Sequence, residues 1–304
     1  MSGLLTILTY FAYVFIVVMY AVKAIKIART PVHLRWELYP VIHEEKSKYG
    51  VSYYEDFEQW RKSRYKTVFK GIFSLLKENF YFGEYFRRNR GYWLFLLPWH
   101  IGFILIVTFH ILCFFGAVAM VAGVPVSAES ANSLGTILYF LILLTGLVSF
   151  VAGSFGSVGI LIKRLRDKDL RAFATPQNYF NYSFTLVVFL SGLYAFFFDP
   201  TFSEYREFWK GLITLSPAHV DYPTAIHIIL FALFLIYLPF TRSLHYITKF
   251  FAYFWVRWDD KPLSRGSKME KELEKWLSRP VSWSAPHIQS GKKWAEIASG
   301  KKDP

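Results

Sequence analysis

The 304-residue sequence is 54% hydrophobic and 20% aromatic, carries a net charge of +13 and has one cysteine. A lone cysteine excludes a disulfide framework and any iron–sulfur cluster or cysteine zinc site built by this chain alone. Its apolar residues fall in long blocks rather than periodic stripes, which argues against a soluble domain and for a membrane protein.

Residues 4–27 are the first predicted span. No cationic residue precedes it, no A-x-A site closes it, and Lys23, Lys26 and Arg29 follow, so an uncleaved anchor is expected rather than a signal peptide. Residues 28–90 are polar and aromatic, with interfacial helix patterns such as 65–86. The second span is GYWLFLLPWHIGFILIVTFHILCFFGAVAMVAG, residues 91–123, with no charged side chain after Arg90. A short turn without basic residues, 124–133, leads to the third span, 134–162, which the basic run KRLRDKDLR closes. Residues 179–198 are the fourth span, 199–221 a loop, and 222 to about 258 the fifth. The expected fold is all-α and integral to the membrane. It divides into a first transmembrane helix (1–27), a loop with interfacial helices (28–90), a four-helix membrane core (91–258) and a basic tail (259–304).

Charge sets the expected orientation. Of 35 lysines and arginines, 15 lie at 23–90, 5 at 163–171 and 13 from Arg242 onward, leaving only Arg206 and Lys210 on the other side. The positive-inside bias assigns the three basic segments to the cytoplasm. Five spans with the N-terminus outside and the C-terminus cytoplasmic, in the cytoplasmic (inner) cell membrane, satisfy every loop. The basic excess is thereby explained by topology. No nucleic-acid module, phosphate-binding glycine loop or nucleophile elbow is present.

Two spans carry two histidines each, His100 and His110 on the second, His227 and His245 on the fifth. An imidazole within lipid is a functional-site candidate, and side chains on facing helices are how bundles build cofactor sites. On antiparallel spans the pairs are His100 with His245 (inner) and His110 with His227 (outer), which can clamp two haem irons. Eighteen residues are about five turns, so His227 and His245 share a helix face, whereas ten residues leave His100 and His110 roughly 80° apart. Hydrogen-bonded histidines without a ligand, or a transporter or channel using them as a proton relay, are the alternatives, together with a cofactor-free membrane anchor. On the third span Gly146, Ser149, Gly153, Gly156 and Gly159 recur at three- and four-residue steps, which allows close approach of a neighbouring helix or of a flat macrocycle. Arg164 and Arg242, at the inner ends of the third and fifth spans, are candidates for pairing with haem propionates or plain positive-inside anchors.

The His100–x9–His110 and His227–x17–His245 spacings, Pro239-Phe240-Thr241-Arg242 and the basic segment KRLRDKDLRAFAT resemble the dihaem cytochrome b (gamma) subunit of respiratory nitrate reductase over roughly residues 91–258. The stretch TPVHLRWELYPVIHE at 30–44 is more similar to related membrane cytochromes of heterodisulfide-reductase-like complexes, including the sulfite-reduction-associated complex. The resemblance implies two b haems, oxidation of menaquinol or another quinol, and a cytoplasmic iron–sulfur partner subunit, with further subunits of a respiratory complex. The chain is then the electron-transfer subunit of an oxidoreductase rather than its terminal catalytic subunit. Residues 28–90 and the tail, with Trp276, Trp283 and Trp294, are expected to meet that partner or anionic lipid. Glu129, Asp221 and Tyr222, on the outer side, are the quinone-site candidates, since a positioned carboxylate or phenol can take a quinol proton. His33 and His43, with Glu37, Glu44 and Glu45 nearby, are a loosely spaced metal-site candidate, with ordinary solvated or partner-facing residues as the alternative; His219 and His287 are expected in loops.

Overall fold

The computed structural model describes residues 2–29, 68–216, 218–251 and 265–300. His33, His43 and most of the first loop lie outside them. The chain divides into two compact units, residues 1–20 with 72–244 and residues 21–71 with 245–304.

Five helices are long and apolar enough to cross a membrane. They are α1 (Ser2–Ala28), α4 (Arg90–Val121), α5 (Ser133–Arg166), α7 (Pro176–Phe198) and α9 (Tyr222–Tyr237, continued by a 3-10 turn to Phe240). The short helices α2 (Val68–Tyr81) and α3 (Gly83–Arg88) precede α4, α6 (Lys168–Ala172) follows α5, and α8 (Ser203–Ile213) joins α7 to α9. The starts of the spans follow side chains that accept otherwise unpaired backbone N–H groups. Asn89 accepts from Tyr92, Asn132 from Leu134 and Asp221 from Thr224. The fourth span begins at Pro176, a turn before the predicted Tyr179, because Thr175 and Asn178 form a capping box and proline suits a first helical position.

In the first unit α4 packs on α5, α5 on α7 and α7 on α9; α8 lies against α4, and α4 meets α9 through the Phe103–Phe234 and His110–His227 rings. The α5 glycines make the close packing. A Cβ on Gly156 would lie 2.4 Å from the Trp99 nitrogen of α4, one on Gly159 would enter the Phe95 ring, and one on Gly153 would enter Phe189 of α7. Ser149 donates from Oγ to the Gly102 carbonyl oxygen at 2.8 Å, tying α5 to α4. The small-residue stripe is therefore filled by neighbouring helices. Most of α1 faces outward, but Tyr13 meets Trp209 of α8 at 5.0 Å and Tyr10 donates from its hydroxyl to the Leu212 carbonyl oxygen.

The fifth span departs from expectation. An unbroken helix was expected from 222 to about 258. Instead α9 ends at Tyr237, two 3-10 turns follow, Leu238–Phe240 and Arg242–Leu244, and α10 runs His245–Phe251. Pro239 has no N–H to give the helix, so the Leu235 carbonyl oxygen loses its regular helical donor, and at the break the Leu238 carbonyl oxygen accepts from the Thr241 and Ser243 hydroxyls at 2.8 and 2.7 Å. The segment Pro239–Arg242, noted above for its family resemblance, is this break. Five helical turns between His227 and His245 is accordingly not the geometry of the chain, and the shared-face argument for that pair does not hold.

In the second unit the described tail residues form α11 (Lys268–Leu277) and α12 (Trp294–Ser299), linked by two isolated bridges, Pro280 with Lys293 and Ala285 with Ile288. Val281 and Ile288 are buried there, while Trp283 and Trp294, 6.2 Å apart, remain 47% and 38% exposed.

Candidate functional site

The structure brings His110 of α4 and His227 of α9 together in the first unit. Their rings are parallel within 3° with centroids 5.7 Å apart. Phe231 lies parallel to His110 at 3.7 Å, a separation that permits only face-to-face stacking, and 6.1 Å from His227. The His227 ring therefore lies parallel to the His110 ring and displaced sideways from it, since 5.7 Å is too long for direct face-to-face contact.

Both are deeply buried, His110 at 5% and His227 at 0% exposure. Burial obliges polar atoms to find partners, yet Nε2 of each histidine has none. The other nitrogen of His227 is committed. Its Nδ1 lies 3.1 Å from the Val188 carbonyl oxygen and 2.9 Å from Ser191 Oγ, and the serine hydroxyl itself donates to Val188 at 2.8 Å. A carbonyl only accepts, so Nδ1 carries the proton and Nε2 holds a bare lone pair. That is the tautomer of a metal-ligating histidine whose second nitrogen is fixed by a backbone carbonyl. The wall around the pair is aromatic: Phe150 meets His227 edge-on at 5.1 Å, and Phe109 meets His110 at 5.1 Å. Thr9 and Tyr13 of α1 close the side of a narrow crevice that reaches His110 and Phe231.

Tyr205 completes this wall from α8. Its ring is edge-on to both histidines, 6.2 Å from His110 and 5.6 Å from His227. Burial pushes its phenol pKa well above the ordinary value, so it remains a proton donor. The helix that carries it exists because the Asp199 carboxylate accepts from the Glu204 N–H at 2.8 Å and from Thr201 and Ser203. Phe202, at φ +53°, turns the chain into it with its ring against Phe109. Next to Tyr205, Arg206 lies across Gly116 of α4, donates to the Thr201 carbonyl oxygen at 2.7 Å and covers the Tyr139 ring. Burial lowers the Arg206 pKa and the field of Asp199 opposes that shift.

The remaining candidates are placed as follows. His100 is half-buried, its ring 4.7 Å from Phe82, a residue in left-handed conformation at the start of α3. His245 begins α10 in the second unit and is exposed. Arg164 donates to the Tyr92 hydroxyl at 3.3 Å and lies over Tyr182, with its Nε buried and unpaired. Arg242 is exposed. Asp221 caps α9, accepting from Thr224 at 2.9 Å, Glu129 is exposed, and Tyr222 is 74% exposed. None of these three touches the histidine pair. The carboxylate drawn inward at this end is Glu204, whose pKa burial raises while it accepts from the Asp221 N–H. Residues 199–221, expected to be a loop, contain α8, and the helical apolar spacing of Phe202, Tyr205, Phe208, Trp209 and Leu212 is the sequence signal for it.

A family described as nitrate reductase gamma subunit matches residues 87–259, more than half of the chain. The chain belongs to the nitrate reductase gamma subunit family. No curated protein and no solved structure matches it. The family is a haem b-binding membrane cytochrome in quinol-linked electron transfer, a subunit that assembles with other nitrate reductase subunits. His110 and His227, with two orphaned Nε2 atoms and a fixed tautomer at His227, have the donor chemistry that would hold a haem iron.

Proposed function

We propose that this chain is a dihaem cytochrome b subunit passing electrons between a quinol, such as menaquinol, and an iron–sulfur partner at the cytoplasmic face. The observation that carries this reading is the His110–His227 pair, buried, parallel and 5.7 Å apart, each with an unpartnered Nε2. A b haem held there supplies one-electron transfer at an iron with two imidazole ligands. Ser191 and the Val188 carbonyl hold the His227 ring and tautomer, while Phe150, Phe109 and Tyr205 shield the site from lipid and water. His100 and His245 are the ligands of a second, inner haem, with the unpaired Arg164 Nε and Arg242 as candidate partners of its propionates.

Positive-inside charge puts the α8 end outside and the basic ends of α5 and α10 in the cytoplasm. Electrons bound for a cytoplasmic partner then enter beside the His110–His227 haem and leave through the inner one. Quinol oxidation at the α8 end accordingly moves charge across the membrane. Because Glu129 and Tyr222 are exposed and Asp221 is engaged as a cap, Glu204 is the better placed proton acceptor at that end. The partner is of heterodisulfide-reductase-like type, a reading supported by residues 30–44, and exposed Trp283 and Trp294 suit a partner's surface.

Purified protein should show a low-spin b-type spectrum with two haems per chain. Replacing His110 or His227 by alanine should remove one haem and leave the other. A wild-type protein without haem absorbance, or a spectrum surviving both changes, would overturn the reading. A proton relay or a cofactor-free anchor predicts that outcome.

A further inference from the structure

The His110–His227 pair is not alone in having unmatched polar groups. The Tyr205 hydroxyl, in a residue 1% exposed, has no hydrogen-bond partner, and neither has Thr224 Oγ1, in a residue 0% exposed. A buried hydroxyl left unpaired costs about 1–3 kcal/mol, and within a bilayer no water relieves it. Both lie toward one end of the pair. Thr224 is one turn before His227 on α9, on the α8 side, and Tyr205 stands edge-on to both imidazoles. Arg206, 4% exposed, crosses α4 at Gly116, beyond His110 in the same direction. Buried cations are normally paired, yet among the described residues Arg206 makes no ion pair. Two unpartnered hydroxyls and a buried guanidinium that makes no ion pair among the described residues thus lie on the α8 side of the histidine pair.

Resting on the bis-histidine reading above, we propose that Tyr205, Thr224 and Arg206 form the seat for the carboxylates of the haem held by His110 and His227, so that its propionate edge faces α8. The chemistry is specific. A propionate is a pure acceptor when ionised, and each of the three residues has a donor to offer it, the guanidinium being donor-only. Hydrogen bonds to an ionised group are the strong ones, and an arginine fork suits a carboxylate. The same assignment explains why a connecting helix between two spans buries an arginine and a tyrosine while Glu207 and Lys210, on its other face, pair with each other at 3.2 Å in the open.

The test uses the full-length, haem-loaded protein. Tyr205→Phe, Thr224→Val and Arg206→Gln are compared with wild type by haem content, by resonance Raman of the propionate bending modes and by redox titration of each haem. The haem lost in His110→Ala identifies which signal belongs to this site. Removing a donor leaves more negative charge on the propionate and favours the oxidised iron. Both haems should remain in Tyr205→Phe, with its propionate mode shifted and its potential lowered. Arg206→Gln should shift the oxidised-to-reduced ratio of that haem alone by about tenfold, ~59 mV for one electron. If Arg206→Gln does not assemble, Arg206→Lys and Tyr205→Phe carry the same readout at smaller amplitude. Two haems with unmoved propionate modes and potentials in these variants would overturn the seat while leaving the haem-binding reading intact. Absence of haem from wild type would overturn both.

Discussion

Replacing Gly156 by alanine should damage this protein out of proportion to one methyl group. The added Cβ would lie 2.4 Å from the Trp99 nitrogen and 2.6 Å from both the Trp99 Cα and the Phe95 carbonyl oxygen. All three are backbone atoms of α4, so no rotamer change can make room. Ordinary contact begins at 3.4 Å, which requires α4 and α5 to separate by about 1 Å in an interface that resists overpacking. Such overpacking costs about 1–3 kcal/mol, and a contact with two rigid backbones belongs at the top of that range. About 3 kcal/mol is roughly a hundredfold in an equilibrium constant. Because Trp99 adjoins His100, the displacement should disturb the haem that survives in His110→Ala more than the one lost there. Thermal denaturation in detergent, followed by tryptophan fluorescence, with a spectrum of each haem, measures both effects. Gly3→Ala is the control, since nothing lies within 4 Å of a Cβ there. A Gly156→Ala protein as stable as that control, with both haem signals unaltered, would show that the α4–α5 contact does not have the stated closeness.

Three further outcomes follow from particular contacts. Ser191→Ala removes one of two acceptors of the His227 Nδ1 proton and keeps the Val188 carbonyl; the haem at this site should be retained with its potential raised by up to ~59 mV, the one-electron equivalent of tenfold, because a ligand with a weaker hydrogen bond is less basic. Glu204 has its folded-state pKa raised by burial above the usual 4.5, so its contribution to stability is complete below 4.5 and is lost as pH rises through the raised value. Hydrogen exchange in α8 should quicken over that window, and Glu204→Gln should flatten the dependence. Truncation after Asp260 removes α11, α12 and the exposed Trp283 and Trp294. Co-purification of the proposed iron–sulfur partner should fall sharply while the b-haem spectrum stays; unchanged co-purification would assign the tail to the lipid surface.

The sequence displayed what depends on long apolar runs and missed what depends on a few polar atoms. Four of five spans were readable to within a turn, because about 20 apolar residues announce a crossing whatever their packing. That His110 and His227 come close to each other was also readable, from antiparallel order alone. The break at Pro239 was visible as a residue but not as an event, since spans tolerate proline when nearby groups re-satisfy the backbone; here the Thr241 and Ser243 hydroxyls hold the Leu238 carbonyl oxygen at the break. Pro98, inside an α4 that continues unbroken, shows that the same residue type gave no rule. The alternative uses of the α5 glycines, helix contact or macrocycle, could be separated only by knowing that Trp99, Phe95 and Phe189 fill the space. Tyr205 and Arg206 were hidden because a short amphipathic helix between spans reads as a loop when its apolar face is judged against lipid rather than against the bundle.

The packing also bears on whether the buried histidines carry electrons or protons. A proton relay needs groups that can accept on one nitrogen and release from the other, and a continuous chain of them across the membrane. His227 cannot easily serve, because its Nδ1 proton is shared between a carbonyl that only accepts and a serine that already donates elsewhere. Beyond it α9 continues as IILFALFLI, with no titratable side chain before Tyr237, and that hydroxyl is spent on Asn181 at 2.7 Å. The flanking helices interlock at Gly153, Gly156 and Gly159 too closely even for a methyl group. An electron crosses such packed aromatic protein without needing a mobile donor at every step, whereas a proton does need one. The fixed tautomer and dense surroundings of this pair therefore favour a redox centre, and the donors of Tyr205, Thr224 and Arg206 supply what a negatively charged haem edge requires and a proton wire does not.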